Sequence, residues 1–347
     1  MTTDNIDSTH KDLDSKKKPS TLKSKKKKII SNDDSLQANS IKKEDHIDEV
    51  KYDLDKFDDL ISLVKTKNEN LIKNNFAQYI LSKFNEHSEL SNYELVFLYD
   101  KYDSINTIHS NNIYKAITNK KVDKDILMFL LSDGGKIEPA YLISKACKRL
   151  CKDKFVVTVP RRAKSAATLI ALGASEIHMG LLSELGPIDP QINGFPALGL
   201  TNALEKIASL SDRFPKSSDM FAKYLTDNLS IKDLGYFERI NESAVQYATR
   251  LLEGKSFPDG QTPHSLANHF TNHYKDHSFV IDVEEALKYF GSNIIKESSI
   301  EYEFSDFLHN KINFFDIVTR VFIDKKLKII GSCKNIEDII LESTESE

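Results

Sequence analysis

The sequence predicts an α/β fold, a parallel-sheet core of successive βαβ units flanked by helices. Two apolar runs carry this reading, residues 125–131 and 154–159. Both are continuous and rich enough in branched residues to be strands buried on both faces. Each ends in a turn and then a helix-forming stretch. Ser132-Asp133-Gly134-Gly135 leads into 137–151, and Pro160 to Lys164 leads into the Ala-rich segment 165–173. A third short strand, 176–179, follows. Strand–helix–strand alternation implies parallel pairing and right-handed crossovers.

Taken in order, residues 1 to about 50 are polar, lack a periodic apolar face and are expected to be disordered. Eight of the fourteen residues from Ser15 to Lys28 are lysine. Such a run suits weak contact with nucleic acid or another anionic surface, or serves as a solubilising tail. From 53 to about 117 the pattern is helical, with Phe57, Leu60, Ile61 and Val64 at spacings of three and four, then Leu71, Phe76, Tyr79, Ile80 and Phe84. The expected organisation is a tail over 1–50, a helical region over 51–120, a core with a helical extension over 121–292 and a C-terminal extension over 293–347. Inside the core, Ile137, Ala140, Tyr141, Ile143, Ser144 and Cys147 form one helix stripe, and Gly173 is a helix stop. A helix is expected to begin at 203–208, another to include 220–225, and further ones to run over about 234–252 and, capped by Asp282, over 282–291. Residues 300–341 carry no readable motif.

Ser165 stands at the first turn of its helix, where unpaired N–H groups and the positive end of the helix dipole favour a developing oxyanion. That environment suits a nucleophilic hydroxyl, although a serine there also reads as a simple N-cap. Gly134-Gly135 allows positive φ and a bare backbone whose N–H groups can face a ligand. Both turns fall at strand C-terminal ends, where open α/β sheets hold their sites. Glycine amides facing a serine suit acyl transfer.

Three blocks in order carry a family likeness: 131–135 (LSDGG), 163–177 (AKSAATLIALGASEI) and 183–191 (SELGPIDPQ). They resemble the serine dehydrogenase proteinase family, related to signal peptide peptidase A and more distantly to the Clp proteolytic subunit, all of the Clp/crotonase fold. The likeness spans 125–191 and continues more weakly to about 290. It implies a Clp/crotonase-like core, a nucleophile at Ser165, and oxyanion donors at Gly134, Gly135 and Ala166. The family needs no metal or other cofactor. Asp133 stands where a proline is usual, and Ala167 where a glycine is common. A serine–lysine dyad of the signal-peptide-peptidase type would take Lys216, fifty-one residues after Ser165, with Lys206 and Lys223 as alternatives. A lysine serves as a base only where burial or a nearby cation lowers its pKa. Asp189 falls close to where the Clp subunit has its histidine, and either orients a base or water or stabilises its turn. His178 and His277 are further candidates, while Lys164 is expected to point away from Ser165.

The remaining patterns exclude more than they assign. Three cysteines argue against a disulfide framework and for a cytoplasmic setting. Cys147 and Cys151 lack the partners of a metal site. His264, His269, His273 and His277, at spacings of four or five, have no carboxylate cluster beside them. No apolar run is long enough to span a bilayer, and no hydrophobic signal core is present. Two functions follow: a serine peptidase acting on peptide or protein substrates, or a non-proteolytic relative that binds a peptide or thioester or scaffolds an assembly. The resemblance also implies a homo-oligomer, a tetramer or larger, with Tyr79, Phe84, Tyr236, Phe237 and Tyr247 as candidate interface aromatics.

Overall fold

A computed structural model describes residues 52–118, 123–192, 195–228, 230–258 and 260–344. The expected lysine-rich tail lies outside them. Helices α1 (Phe57–Lys65) and α2 (Glu69–Asn85) come first, then β1 (Tyr93–Tyr99) and α3 (Thr107–Thr118). Next come β2 (Asp125–Leu131), α4 (Ile137–Leu150), β3 (Phe155–Thr158), β4 (Arg162–Ala163), α5 (Ala166–Leu172), β5 (Glu176–Met179) and β6 (Glu184–Leu185). A small hairpin, β7 (Gln191–Ile192) and β8 (Phe195–Pro196), leads to α6 (Ala197–Arg213), α7 (Ser218–Asn228) and α8 (Ile231–Leu252). The chain closes with α9 (Pro263–Asn272), α10 (Val283–Phe290), β9 (Ile295–Glu297), α11 (Ile300–Ile323), β10 (Lys325–Gly331) and β11 (Ile339–Ser343).

Seven strands form one sheet in the order β11-β10-β1-β2-β3-β5-β9. From β1 to β9 the pairs are parallel, and β10 and β11 add an antiparallel edge. The buried-strand reading has a direct cause. Along β2, Ile126, Met128 and Leu130 enter one apolar core, while Leu127, Phe129 and Leu131 enter another on the opposite face. β1 divides the same way, Val96 and Leu98 against Leu95, Phe97 and Tyr99. The first core packs under α3, α4, α5 and α8 to α10, and the second under α1, α2 and α11. A strand between two helical layers must be apolar on both sides, so alternation vanishes.

Several expectations change in the structure. The stretch 53–117 is not helical throughout, because Tyr93–Tyr99 is a central strand of the sheet. The uninterpreted C-terminal stretch supplies a 24-residue helix and two strands of the same sheet. Gly173 does end α5, as expected, and it does so in a right-handed conformation. A side chain there would collide with Ser144 Oγ of α4, and close helix packing explains the glycine. The expected interface aromatics are mostly committed within the chain. Phe84 is buried, the Tyr79 hydroxyl donates to Asp55 at 2.7 Å, and Tyr247 packs on Tyr141 with ring centroids 4.6 Å apart.

Candidate active site

The C-terminal ends of β2 and β3 lie side by side because the strands pair in parallel from Ile126↔Phe155 to Phe129↔Thr158. Beyond them the two turns interlock. Ser132 N–H donates to Arg162 O at 3.2 Å, and Lys164 N–H donates to Ser132 O at 3.0 Å. These bonds bring Gly134 against Ser165. A Cβ on Gly134 would sit 2.7 Å from Ser165 Cβ and 2.8 Å from Lys164 O, and its φ is +106°. Glycine is required there on both counts. The Arg162 guanidinium grips the exposed Asp133 carboxylate with two hydrogen bonds, Nε to Oδ1 and Nη2 to Oδ2, and this holds Arg162 further above its usual range. Asp133 thereby ties the Gly-Gly turn to the strand leading to Ser165.

Ser165 occupies the N-cap position of α5, yet its hydroxyl caps nothing. Its backbone stands at φ +52° and ψ −118°, away from the extended conformation of an ordinary cap. Ala166 and Ala167 bring no bulk to the first turn, and both are fully buried. Ala167 N–H donates to Lys164 O at 2.8 Å. Gly134 N–H donates to Ser132 Oγ at 3.2 Å. The amides of Gly135 and Ala166 make no hydrogen bond among the described residues. The structure therefore commits the Gly134 amide internally, and that residue contributes its small size and positive φ. At the far end of α5, Lys255 Nζ donates to Leu172 O at 2.5 Å and to Ala174 O, and burial pushes its pKa down to about 7.

Asp189 is 5 % exposed and accepts a 2.6 Å hydrogen bond from His277 Nδ1 and one of 2.8 Å from Gln191 Nε2. The carboxylate on Nδ1 sets the tautomer and leaves Nε2 as the imidazole's proton acceptor. Two sets of bonds hold the pair in place. The Thr168 hydroxyl of α5 donates to Ala163 O at 2.6 Å and accepts from Gly186 N–H at 3.0 Å, tying α5 to the Gly186–Asp189 turn. Leu185 and Ile281 exchange backbone bonds at 2.9 and 3.1 Å, which pins the loop carrying His277 beside it.

Ser165, Gly134, Gly135, Pro190, Gln191 and His277 share a cleft of about 950 Å³. Its walls are the loop after β1, with Lys101 and Tyr102, the start of α4, with Lys136 and Ile137, and the Tyr236–Ile240–Ser243 face of α8. Lys101 is tied to Asp316 at 2.8 Å, and the Tyr102 hydroxyl donates to the same carboxylate at 2.7 Å. Burial and that carboxylate push the phenol up. Lys216 lies in the turn Pro215–Ser217, exposed and outside the cleft lining. Lys206 on α6 and Lys223 on α7 are exposed as well. The structure brings none of the three lysines to Ser165. Lys164 turns away, donating to Glu184 at 2.8 Å. His178 is buried on the α11 side, bonded to Ser299 Oγ at 2.5 Å. Of the four spaced histidines, His264 and His269 lie on α9, which ends at Asn272, and His269 and His273 stack on each other. Among the described residues no group of His, Cys, Asp and Glu is arranged to hold a metal, and no helix is long and apolar enough to cross a membrane.

A parallel α/β/α sheet with a serine at a strand-to-helix turn facing a Gly-Gly loop defines the ClpP-like class of folds. Residues 95–235 match the ClpP-like SDH-type serine proteinase family. Two uncharacterized proteins of Methanocaldococcus jannaschii are similar. One is 37% identical over 105 residues, 30% of this chain and 36% of that protein. The other is 35% identical over 102 residues, 29% of this chain and 35% of that protein. The similarity thus spans about a third of each relative's length. Similar solved structures include two of a membrane-bound stomatin-specific protease. One is a lysine-to-alanine variant with a substrate peptide, at 16% identity and TM-score 0.37, covering 61% of this chain and 76% of that one. The other is a serine-to-alanine variant, at 18% and 0.36, covering 64% and 83%.

Proposed function

We propose that this protein is a serine peptidase in which Ser165 is the nucleophile and His277, oriented by Asp189, is the general base. The observation that supports this most is Ser165 itself, held at positive φ at a helix N-terminus with a hydroxyl that caps nothing. Strain at such a residue persists where the surrounding structure over-determines it, and it clusters at reactive sites. In the proposed step Ser165 Oγ attacks the scissile carbonyl carbon while its proton passes to His277 Nε2. The carbonyl oxygen becomes an oxyanion that accepts from Gly135 and Ala166 N–H, with Gly134 supplying the close approach. The C–N bond then breaks, and the imidazolium gives its proton to the leaving amine. Water, deprotonated by the same imidazole, releases the acyl group.

A carboxylate-bound imidazole in the cleft supports a histidine base over the lysine that the spacing suggested. The test is hydrolysis of a fluorogenic peptide library by wild type, Ser165→Ala, His277→Ala and Lys216→Ala. Turnover lost in the first two and kept in the third is the expected pattern. Turnover lost in Lys216→Ala and kept in His277→Ala would replace the triad with the dyad. A protein that binds peptides but turns over none would be a non-proteolytic relative.

A further inference from the structure

The long helix α11 has two apolar faces, and the fold uses one. Phe304, Leu308, Ile312, Phe315 and Thr319 are buried against the sheet. On the opposite side Phe307, Phe314, Ile317 and Val321 are 37, 42, 41 and 69 % exposed. Together with Asn310 they repeat at three and four, 307-310-314-317-321, the seam of a two-helix coiled coil. The seam runs about 21 Å along the axis at 1.5 Å per residue. Phe57 of α1 extends it, with its ring centroid 5.8 Å from that of Phe314 and 55 % of the residue exposed. Single exposed apolar residues are ordinary, but a contiguous stripe along four turns is the mark of an interface.

We infer that a second copy of this chain covers the seam, its α11 packed antiparallel on the first about a two-fold axis. The flanking charges decide both occupant and direction. One flank of the stripe carries Asp306 near its N-terminal end, Asn313 at its middle and Arg320 near its C-terminal end. An antiparallel copy sets each Asp306 beside the other chain's Arg320 and lays the two Asn313 amides against each other. A parallel copy would lose both ion pairs and align the helix dipoles unfavourably. The core of the contact then matches Phe307 with Ile317 and Asn310 with Phe314 of the other copy. Within one chain Asp306 binds Arg161 and accepts from Asn310, Asn313 Oδ1 accepts from Lys101 Nζ at 2.9 Å, and Arg320 reaches Asp316 at 3.4 Å, so the contacts across the seam extend pairs that each chain already holds in place. Such a contact is isologous and closes on itself.

Sedimentation velocity of the full chain at about 10 µM tests this. The expected species is a dimer or an even multiple of chains. Phe314→Glu should raise the dissociation constant at least about 30-fold, as loss of a central aromatic anchor does. Its circular dichroism and melting point report whether the fold survives; should it not, the more exposed Val321→Asp serves in its place. Asn313→Cys should form a disulfide-linked dimer under mild oxidation, with the unsubstituted protein as the control for Cys147, Cys151 and Cys333. A monomer at this concentration would overturn the inference, whether the seam stays bare or is covered by the chain's own residues 1–50. An assembly indifferent to the seam variants, or one in which Asn313→Cys never cross-links, would overturn it equally.

Discussion

Ser165 carries a conformation that glycine adopts freely and a residue with a Cβ adopts only at a cost of about 1–3 kcal/mol. The site therefore trades stability for a presented hydroxyl. Ser165→Gly should melt at a higher temperature than the wild type and be inactive, whereas a lower melting point would remove strain from the account. In the proposed triad Asp189 acts through His277. Asp189→Asn should lower kcat by about 10³ to 10⁴-fold with little change in KM, because the wrong tautomer of the imidazole is stabilised. Lys216→Ala should stay within about twofold of wild type, since an exposed lysine away from the cleft has nothing to deprotonate. A deep loss in that variant, with Asp189→Asn near normal, would return the base to Lys216.

At the scale of elements, the Gly-Gly turn and α5 form one unit, and Gly134 is where they touch. Gly134→Ala would place a methyl within 2.7 Å of Ser165 Cβ at a φ of +106°, so the turn or the helix start must move. Displacement of the proposed nucleophile by 1 Å costs about 10²-fold in rate, and a loss of that size is the expected kinetic result. Unchanged turnover would mean that the contact does not align the site. Gly135 is a poorer probe of the oxyanion donor, because a Cβ there strikes the backbone of Ile105 and any larger residue perturbs the fold. Much of this unit was legible in sequence. β2 and α4 begin where the apolar runs and turns place them, and the serine turn sits where β3 ends. Local pattern sufficed because each of those signals is contained in a dozen residues. The strand β1 escaped because the long helical periodicity before Tyr93–Tyr99 masks the break at Ser88–Asn92. The second apolar face of α11 blurred its period. Asp189 and His277 are 88 residues apart, and only the Leu185–Ile281 bridge and the Thr168 bonds make them neighbours. No residue type announces a φ of +52°.

Across the whole molecule, α11 binds the sheet's far face through a buried polar set that is sensitive to acid. Burial, with Arg161 and Lys101 nearby, pulls His309 from 6.5 down to about 4, while its Nδ1 stays bonded to the Tyr99 hydroxyl at 3.0 Å. As pH falls below 6.5 the unfolded chain takes up a proton that the folded chain refuses until about 4, so stability declines across that window. Burial pushes Glu301 up, but its bonds to His178, to its own backbone amide and to Tyr93 prevail and hold it near 2 rather than 4.5. Its contribution is complete above pH 4.5 and is lost as pH falls towards 2. Denaturant midpoints recorded from pH 7 to pH 3 should therefore fall in two stages, and His309→Gln should flatten the upper one. An unaltered upper slope in that variant would remove His309 from the explanation.

The central claim, an acyl-transfer site built on Ser165, is tested most directly by intact-mass analysis after fluorophosphonate treatment. Wild type should gain one adduct, mapped by peptide sequencing to Ser165. Ser165→Ala should gain none, and His277→Ala should react at least about 10³-fold more slowly. A wild type that stays unmodified, or a Ser165→Ala protein that labels as fast as wild type, would contradict the account.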